Sequence, residues 1–218
     1  MERDIKLVIF DFDGTLADTK ENIILTFQMT MKELGVEIKS RQECAATIGL
    51  TLEDAFKVLY PGMAAEKYVL LRDSYRRIFK ENRKILVPGL FPEVMETLEE
   101  LRRRGYLMSI ASSRQSPSLQ SFLEDMKIAH LFEYAVGGDN VEHPKPAPDA
   151  VLQILRHYDL SAEEAFVVGD MPFDINMATN AGVKSCGVTW GNADAAQLRE
   201  SGANYVIDKM SQLLEILN

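Results

Sequence analysis

The chain has only two cysteines, three histidines and one tryptophan in 218 residues. Cys44 and Cys186 lie far apart with no Cys-x-x-Cys or histidine spacing around them, so two buried, reduced thiols are expected in place of a disulfide or a zinc site. None of the histidines has a partner at a spacing that suggests catalysis or metal binding. No apolar run approaches the roughly 20 residues that span a bilayer, and the charged start Met1-Glu2-Arg3-Asp4-Ile5-Lys6 is unlike a secretory leader. A soluble, cytoplasmic protein with no membrane partner is expected. Basic residues are also scarce, 24 against 33 acidic for a formal charge of −9, and they form no long cluster. A nucleic acid or an anionic membrane is therefore an unsuitable partner, and any anionic substrate must be held locally. Repeats, low-complexity tracts and long linkers are absent, and nothing bears on oligomeric state.

What the chain does have is one apolar run, Leu7-Val8-Ile9-Phe10, that ends in two alternate carboxylates, Asp11 and Asp13. A near-continuous apolar strand suits a parallel sheet covered on both faces, so the two acids are expected at the sheet's carboxyl-end mouth. Ligands of open parallel sheets bind beyond that edge. Gly14 lets the backbone turn away where a side chain would crowd the site.

Downstream, Lys20–Leu34, Thr51–Tyr60 and Ala64–Asn82 carry apolar residues at helical intervals, with Gly35 and Pro61-Gly62 as breaks. Residues 17–86 read as an all-helical module inserted after the first strand. After Pro88-Gly89 the pattern changes to helices alternating with short apolar strands at Tyr106–Ala111, Tyr134–Gly137, Ala165–Val168, Lys184–Thr189 and Asn204–Ile207. Such βαβ units give an α/β fold, a Rossmann-like, doubly wound parallel sheet with right-handed crossovers. The expected division is a core of residues 1–16 and 87–218 and a helical cap of 17–86. Basic cap residues Lys20, Arg41, Arg72 and Arg76 are read first as a solvated face.

Three further clusters fall at strand ends. Ser112-Ser113-Arg114 precedes Ser116-Pro117, an N-cap and first-turn proline, and a hydroxyl among backbone N–H groups near a helix start can seat a phosphate. Lys145 is held between prolines in His143-Pro144-Lys145-Pro146-Ala147-Pro148, where each ring restricts its own φ and its predecessor. Gly169-Asp170-Met171-Pro172-Phe173-Asp174 begins a helix, and its two carboxylates, four residues apart, share a side of the turn. Hard cations such as Mg2+ take oxygen ligands of this kind.

The order Asp11-Phe12-Asp13-Gly14-Thr15, Ser112, Lys145, then Gly169-Asp170 with Asp174 resembles the four-motif signature of the haloacid dehalogenase superfamily of phosphohydrolases. With its helical insertion the chain looks like the phosphoglycolate phosphatase and β-phosphoglucomutase subgroup. The resemblance implies a Mg2+-dependent phosphatase that hydrolyses a small phosphorylated metabolite through an aspartyl-phosphate. By the same resemblance Asp11 is the nucleophile and Asp13 the general acid and base. Ser112 and Lys145 hold the phosphoryl group, with Thr15, Ser113 and Arg114 beside it. Asp11, the Asp13 backbone carbonyl, Asp170 and Asp174 hold the metal. A sugar-phosphate mutase and an inorganic pyrophosphatase are the rivals within the subgroup, and a phospho-accepting receiver-like or binding module is the rival outside enzymes. The mutases carry a histidine four residues beyond the threonine that matches Thr19; here that position is Ile23.

Overall fold

The computed structural model describes residues 4–217; residues 1–3 and 218 of the expected core, with the start of the charged N-terminal segment, lie outside them. Six strands form one parallel sheet: β1 (Leu7–Phe10), β4 (Leu107–Ala111), β5 (Tyr134–Val136), β6 (Ala165–Gly169), β7 (Lys184–Val188) and β8 (Tyr205–Ile207), in the order β5-β4-β1-β6-β7-β8. β1 is central, and its side chains divide between two faces. Val8 and Phe10 enter one apolar cluster and Leu7 and Ile9 the other, each fully buried. Burial on both faces is why this strand reads as an unbroken apolar run.

Helices α5 (Val94–Arg103), α6 (Ser116–Asp125), α7 (Asp149–Tyr158), α8 (Pro172–Asn180), α9 (Ala195–Glu200) and α10 (Leu213–Ile216) alternate with or follow these strands. From β1 the sheet grows through β4 to β5 on one side, then resumes at β6 on the other. The chain thus reverses direction around β1, and the crevice past its carboxyl end is the position where such sheets bind ligands. Ser116 was expected as the cap of α6 but is its first helical residue, with Gln115 at the cap position and Pro117 in the first turn. The Ser116 hydroxyl is drawn away to the Asp139 carboxylate at 2.8 Å.

Between β1 and the rest lie α1 (Lys20–Glu33), α2 (Arg41–Ala45), α3 (Leu52–Leu59) and α4 (Ala65–Asn82). Phe27 of α1 packs on Phe56 of α3 at 5.2 Å and on Tyr75 of α4 at 4.8 Å between ring centroids. Phe79, one turn beyond Tyr75, reaches Phe122 of α6 at 6.1 Å. Two features depart from the helical periodicity of this stretch. Ala17–Asp18, β2, pairs antiparallel with Gly89–Leu90, β3, so the insertion enters and leaves through a two-stranded ribbon. Two residues per strand offer no alternation to read. The other, α2, is a five-residue helix closed by a Ser40/Glu43 capping box. Among the described residues no helix is long and apolar enough to cross a membrane.

Candidate active site

Adjacent parallel strands in register deliver side chains to one edge. Phe10 aligns with Ile110 of β4 and Val168 of β6, so Asp11, Ser112 and Asp170 all emerge just past the same end of the sheet. The Asp11 N–H still donates to the Val168 carbonyl at 2.8 Å, which holds the carboxylate's backbone to the ladder. Asp11, Ser112, Lys145, Asp170 and Asp174 are all buried.

Lys145 bridges the acids. Its Nζ donates to Asp11 Oδ1 at 2.5 Å and to Asp174 Oδ1 at 2.6 Å. Carboxylate oxygens of Asp11, Asp170 and Asp174 lie within 4.8 Å of one another. Asp174 is fixed further by the Met171 N–H, which donates to its second oxygen at 3.0 Å at the start of α8. Asp170 accepts from the backbone N–H and the side-chain amide of Asn192, both at 2.8 Å, and from the Thr15 hydroxyl at 3.2 Å. The Trp190 indole donates to the Thr15 carbonyl at 3.0 Å, pinning the loop from the other side. Gly14 has φ +93°, and a Cβ there would fall 2.3 Å from Asp170 Oδ2. Glycine is thus required twice, for the left-handed turn and for the carboxylate's space.

Burial pushes the Asp11 carboxyl well above the usual carboxylate range, assisted by the charges of Asp174 and Asp170 and opposed by Lys145. Burial and the neighbouring Asp174 charge push Asp170 up to about 7. Burial alone would lower Lys145, but the charges of Asp11 and Asp174 hold it above the lysine range, so it stays an ammonium. When ionised, Asp11, Asp13, Asp170 and Asp174 exceed Lys145 and Arg114 by two negative charges. One divalent cation supplies the balance, and an all-oxygen donor set fits a hard one.

Asp13 stands apart from this acidic trio. Arg114 grips it with Nε to Oδ2 at 3.0 Å and Nη2 to Oδ1 at 2.5 Å, and the Thr19 hydroxyl donates to Oδ1 at 2.6 Å. The guanidinium lies over Phe122 at 4.5 Å and Phe79 at 5.0 Å, so an aromatic of α4 covers the pair. Every residue proposed from sequence is at or beside this sheet edge, but the side chains of two are already engaged by protein partners. Arg114 is committed to Asp13, and the Ser113 hydroxyl donates to the Gly49 carbonyl of the inserted segment at 2.6 Å. Thr19, Trp190 and Asn192 hydrogen-bond to the candidate residues without having been singled out for it. Their partners are between 6 and 175 residues away in sequence, and only the folded sheet brings the distant ones together.

A cavity of about 730 Å3 opens from Asp11, Asp13 and Ser112 toward α1, α3 and α4. An acidic centre with one buried lysine at the carboxyl edge of a parallel sheet, beneath an inserted helical segment, defines an α/β protein with its ligand site at that edge. Residues 8–188 match the model of the haloacid dehalogenase-like hydrolase family, and the chain belongs to that family. It is 35% identical over 210 residues to a Dickeya dadantii protein named "probable phosphatase IndB", covering 95% of this chain and 91% of the relative. It is 34% identical over 214 residues to the pyrophosphatase PpaX of Bacillus cereus, covering 98% and 97%. Among solved structures, a haloacid dehalogenase-like family hydrolase from Streptococcus pneumoniae superposes with a TM-score of 0.86 at 28% identity, covering 98% of this chain and 99% of that one.

Proposed function

We propose that this protein is a Mg2+-dependent phosphatase that hydrolyses a small phosphomonoester through an aspartyl-phosphate on Asp11. The observation that carries this reading is the division of labour between the two acids of the first loop. Asp11 lies against Lys145 in the buried acidic trio, whereas Asp13 is held on a separate side by Arg114 and Thr19. A nucleophile and a proton carrier have to approach the same phosphoryl group from different directions, and this arrangement separates them.

Asp11 attacks phosphorus as the bond to the leaving oxygen breaks, and Asp13 supplies that oxygen with a proton. Asp13 then takes a proton from the water that attacks phosphorus, which releases inorganic phosphate and restores the Asp11 carboxylate. Ser112 and Lys145 hold the non-bridging oxygens. Asp11, the Asp13 backbone carbonyl and Asp170, with Asp174 behind them, would hold Mg2+, which when bound offsets the negative charge that otherwise repels a phosphate dianion. The segments near Asp18 and Pro88 are the hinges of a mobile cap, residues 17–86, that excludes water during transfer, a reading supported by the ribbon through which the insertion enters and leaves.

Ile23 supports hydrolysis over phosphoryl transfer to a second sugar phosphate. It is a buried, apolar part of the cavity wall and offers no polar contact with which to hold water off the aspartyl-phosphate. The resemblance to PpaX favours inorganic pyrophosphate as a second substrate reading. Phosphate release from a panel that includes phosphoglycolate, hexose phosphates and pyrophosphate, with and without Mg2+, tests the proposal. Mg2+-dependent release from a monoester is expected; isomerisation of a hexose phosphate outpacing every release would contradict it.

A further inference from the structure

The segment that follows β7 closes on the acidic centre. The Asn192 backbone N–H and side-chain amide hold Asp170 Oδ2, and the Ala193 N–H donates to the Asp170 carbonyl at 3.3 Å. Gly191 lets the segment come this close, since a Cβ there would fall 2.3 Å from Asp170 Oδ2 and 2.5 Å from the Gly14 carbonyl. Trp190, the chain's one tryptophan, completes a ring of contacts. Its indole N–H donates to the Thr15 carbonyl, and the Thr15 hydroxyl donates to Asp170 Oδ1, so the loop of Asp11–Thr15 and Asp170 hold each other through residues 190–192.

Trp190 also has a neighbour outside the acidic centre. Its ring packs on Phe91 at 6.4 Å between centroids. Phe91 directly follows β3, and its N–H donates at 3.0 Å to the carbonyl of Leu16, the residue between Thr15 and β2. One side chain therefore touches both the loop that positions Asp170 and the ribbon at the base of the inserted helices. An indole bonded at one end and packed at the other cannot follow a shift of Phe91 without pulling on Thr15 or giving up its donor bond. We infer that Trp190 is a positioning residue that links cation binding at Asp170 to the order of the ribbon. Holding Asp170 in place holds Thr15, Trp190 and then Phe91. The linkage is reciprocal, so a loosened ribbon weakens the cation by the factor by which the cation tightens the ribbon. This inference rests on the metal site of the phosphatase reading. A tryptophan that merely fills space between loop and ribbon would lower stability when replaced and leave both of these quantities alone.

The test follows amide exchange at Phe91, whose N–H closes the ribbon on Leu16, by NMR of the full chain in saturating Mg2+ and in EDTA, with Mg2+ affinity measured by calorimetry. In the parent, Mg2+ is expected to slow this amide at least about fivefold, the lower end of coupling between linked sites. W190F keeps a ring toward Phe91 but loses the donor to Thr15. It should reduce the slowing to less than about twofold and weaken Mg2+ by at least about fivefold. F91L alters only the ribbon side and should weaken Mg2+ by a similar factor, which keeps the test open if W190F does not fold. Y106F, which loses a hydroxyl bond to the Leu217 carbonyl at the opposite end of the sheet, should match the parent in both measurements. Equal exchange in Mg2+ and EDTA for a parent that binds Mg2+, the parent's slowing retained in W190F, an unchanged Mg2+ affinity in F91L, or matching losses in Y106F would each overturn the inference and leave the phosphatase reading standing. A parent that binds no Mg2+ would refute the metal site and the inference with it.

Discussion

Replacing Arg114 with methionine keeps most of the side chain's apolar length over Phe122 and Phe79 but removes every donor to Asp13. The two side chains retain 10% and 13% of their exposure, so the pair is largely withdrawn from water but not sealed. Removing one partner of a buried pair costs about 3–5 kcal/mol because the other charge is left uncompensated. The residual exposure and the Thr19 hydroxyl put Arg114→Met at the low end, about 3 kcal/mol. For a chain of this size that lowers the thermal midpoint by roughly 6–12 °C. Asp13→Asn alone leaves the guanidinium buried against a neutral amide and is also destabilising. If the pair is the cause, the double variant D13N/R114M should be less destabilised than the sum of the two, with a coupling of about 2 kcal/mol. Urea unfolding followed by circular dichroism, with unchanged slopes, measures all four corners of the cycle. Additivity within about 0.5 kcal/mol, the behaviour of independent sites, would refute the assignment of Arg114 to Asp13.

Two further outcomes are expected. In EDTA the stability should fall as pH rises, because Asp170 titrates near 7 in the folded chain against 3.8 in its ordinary state. The folded chain therefore binds the proton more tightly, and the benefit is complete below about pH 4 and lost by about pH 7, a change of about 4 kcal/mol. A thermal midpoint in EDTA that does not move across this window, or one that moves equally with saturating Mg2+, would contradict it. Asn192→Ala removes one of the donors that orient Asp170 and should weaken Mg2+ binding by roughly 10–100-fold in a calorimetric titration with the fold unchanged, whereas unaltered affinity would remove Asn192 from the site.

The sheet and the acidic trio were legible because their signals are local. Leu7–Phe10 declares a strand buried on both faces, and Asp11, Ser112 and Asp170 each follow a strand directly. Once the strands are parallel and in register, those three residues have to meet. Lys145 was marked by its flanking prolines, although its pairing with Asp11 and Asp174 was not. The short elements were less visible. A Ser40-x-x-Glu43 capping box was present in the chain and announces α2, but five residues carry too little periodicity to stand out. The β2 and β3 ribbon has no pattern at all, because its ladder joins residues more than seventy positions apart. The grip of Arg114 on Asp13 was illegible for the same reason. An arginine after two serines at a strand end suits a phosphate equally well, and only the fold shows a carboxylate already occupying the guanidinium. That Arg76 and Lys80 line the cavity also depends on how α4 is rotated against α1 and α3, which apolar spacing sets only to within a face of the helix.

The central claim is that Asp11 receives the phosphoryl group. Its most direct measurement is a rapid acid quench of the protein turning over a phosphoester in Mg2+, followed by peptide mass mapping of the adduct. The account predicts one added phosphoryl group on Asp11, absent from the Asp11→Asn variant, which should also lose at least about a thousandfold in phosphate release while keeping its circular dichroism. A phosphoryl group on any other residue, or undiminished turnover by a folded Asp11→Asn chain, would contradict it.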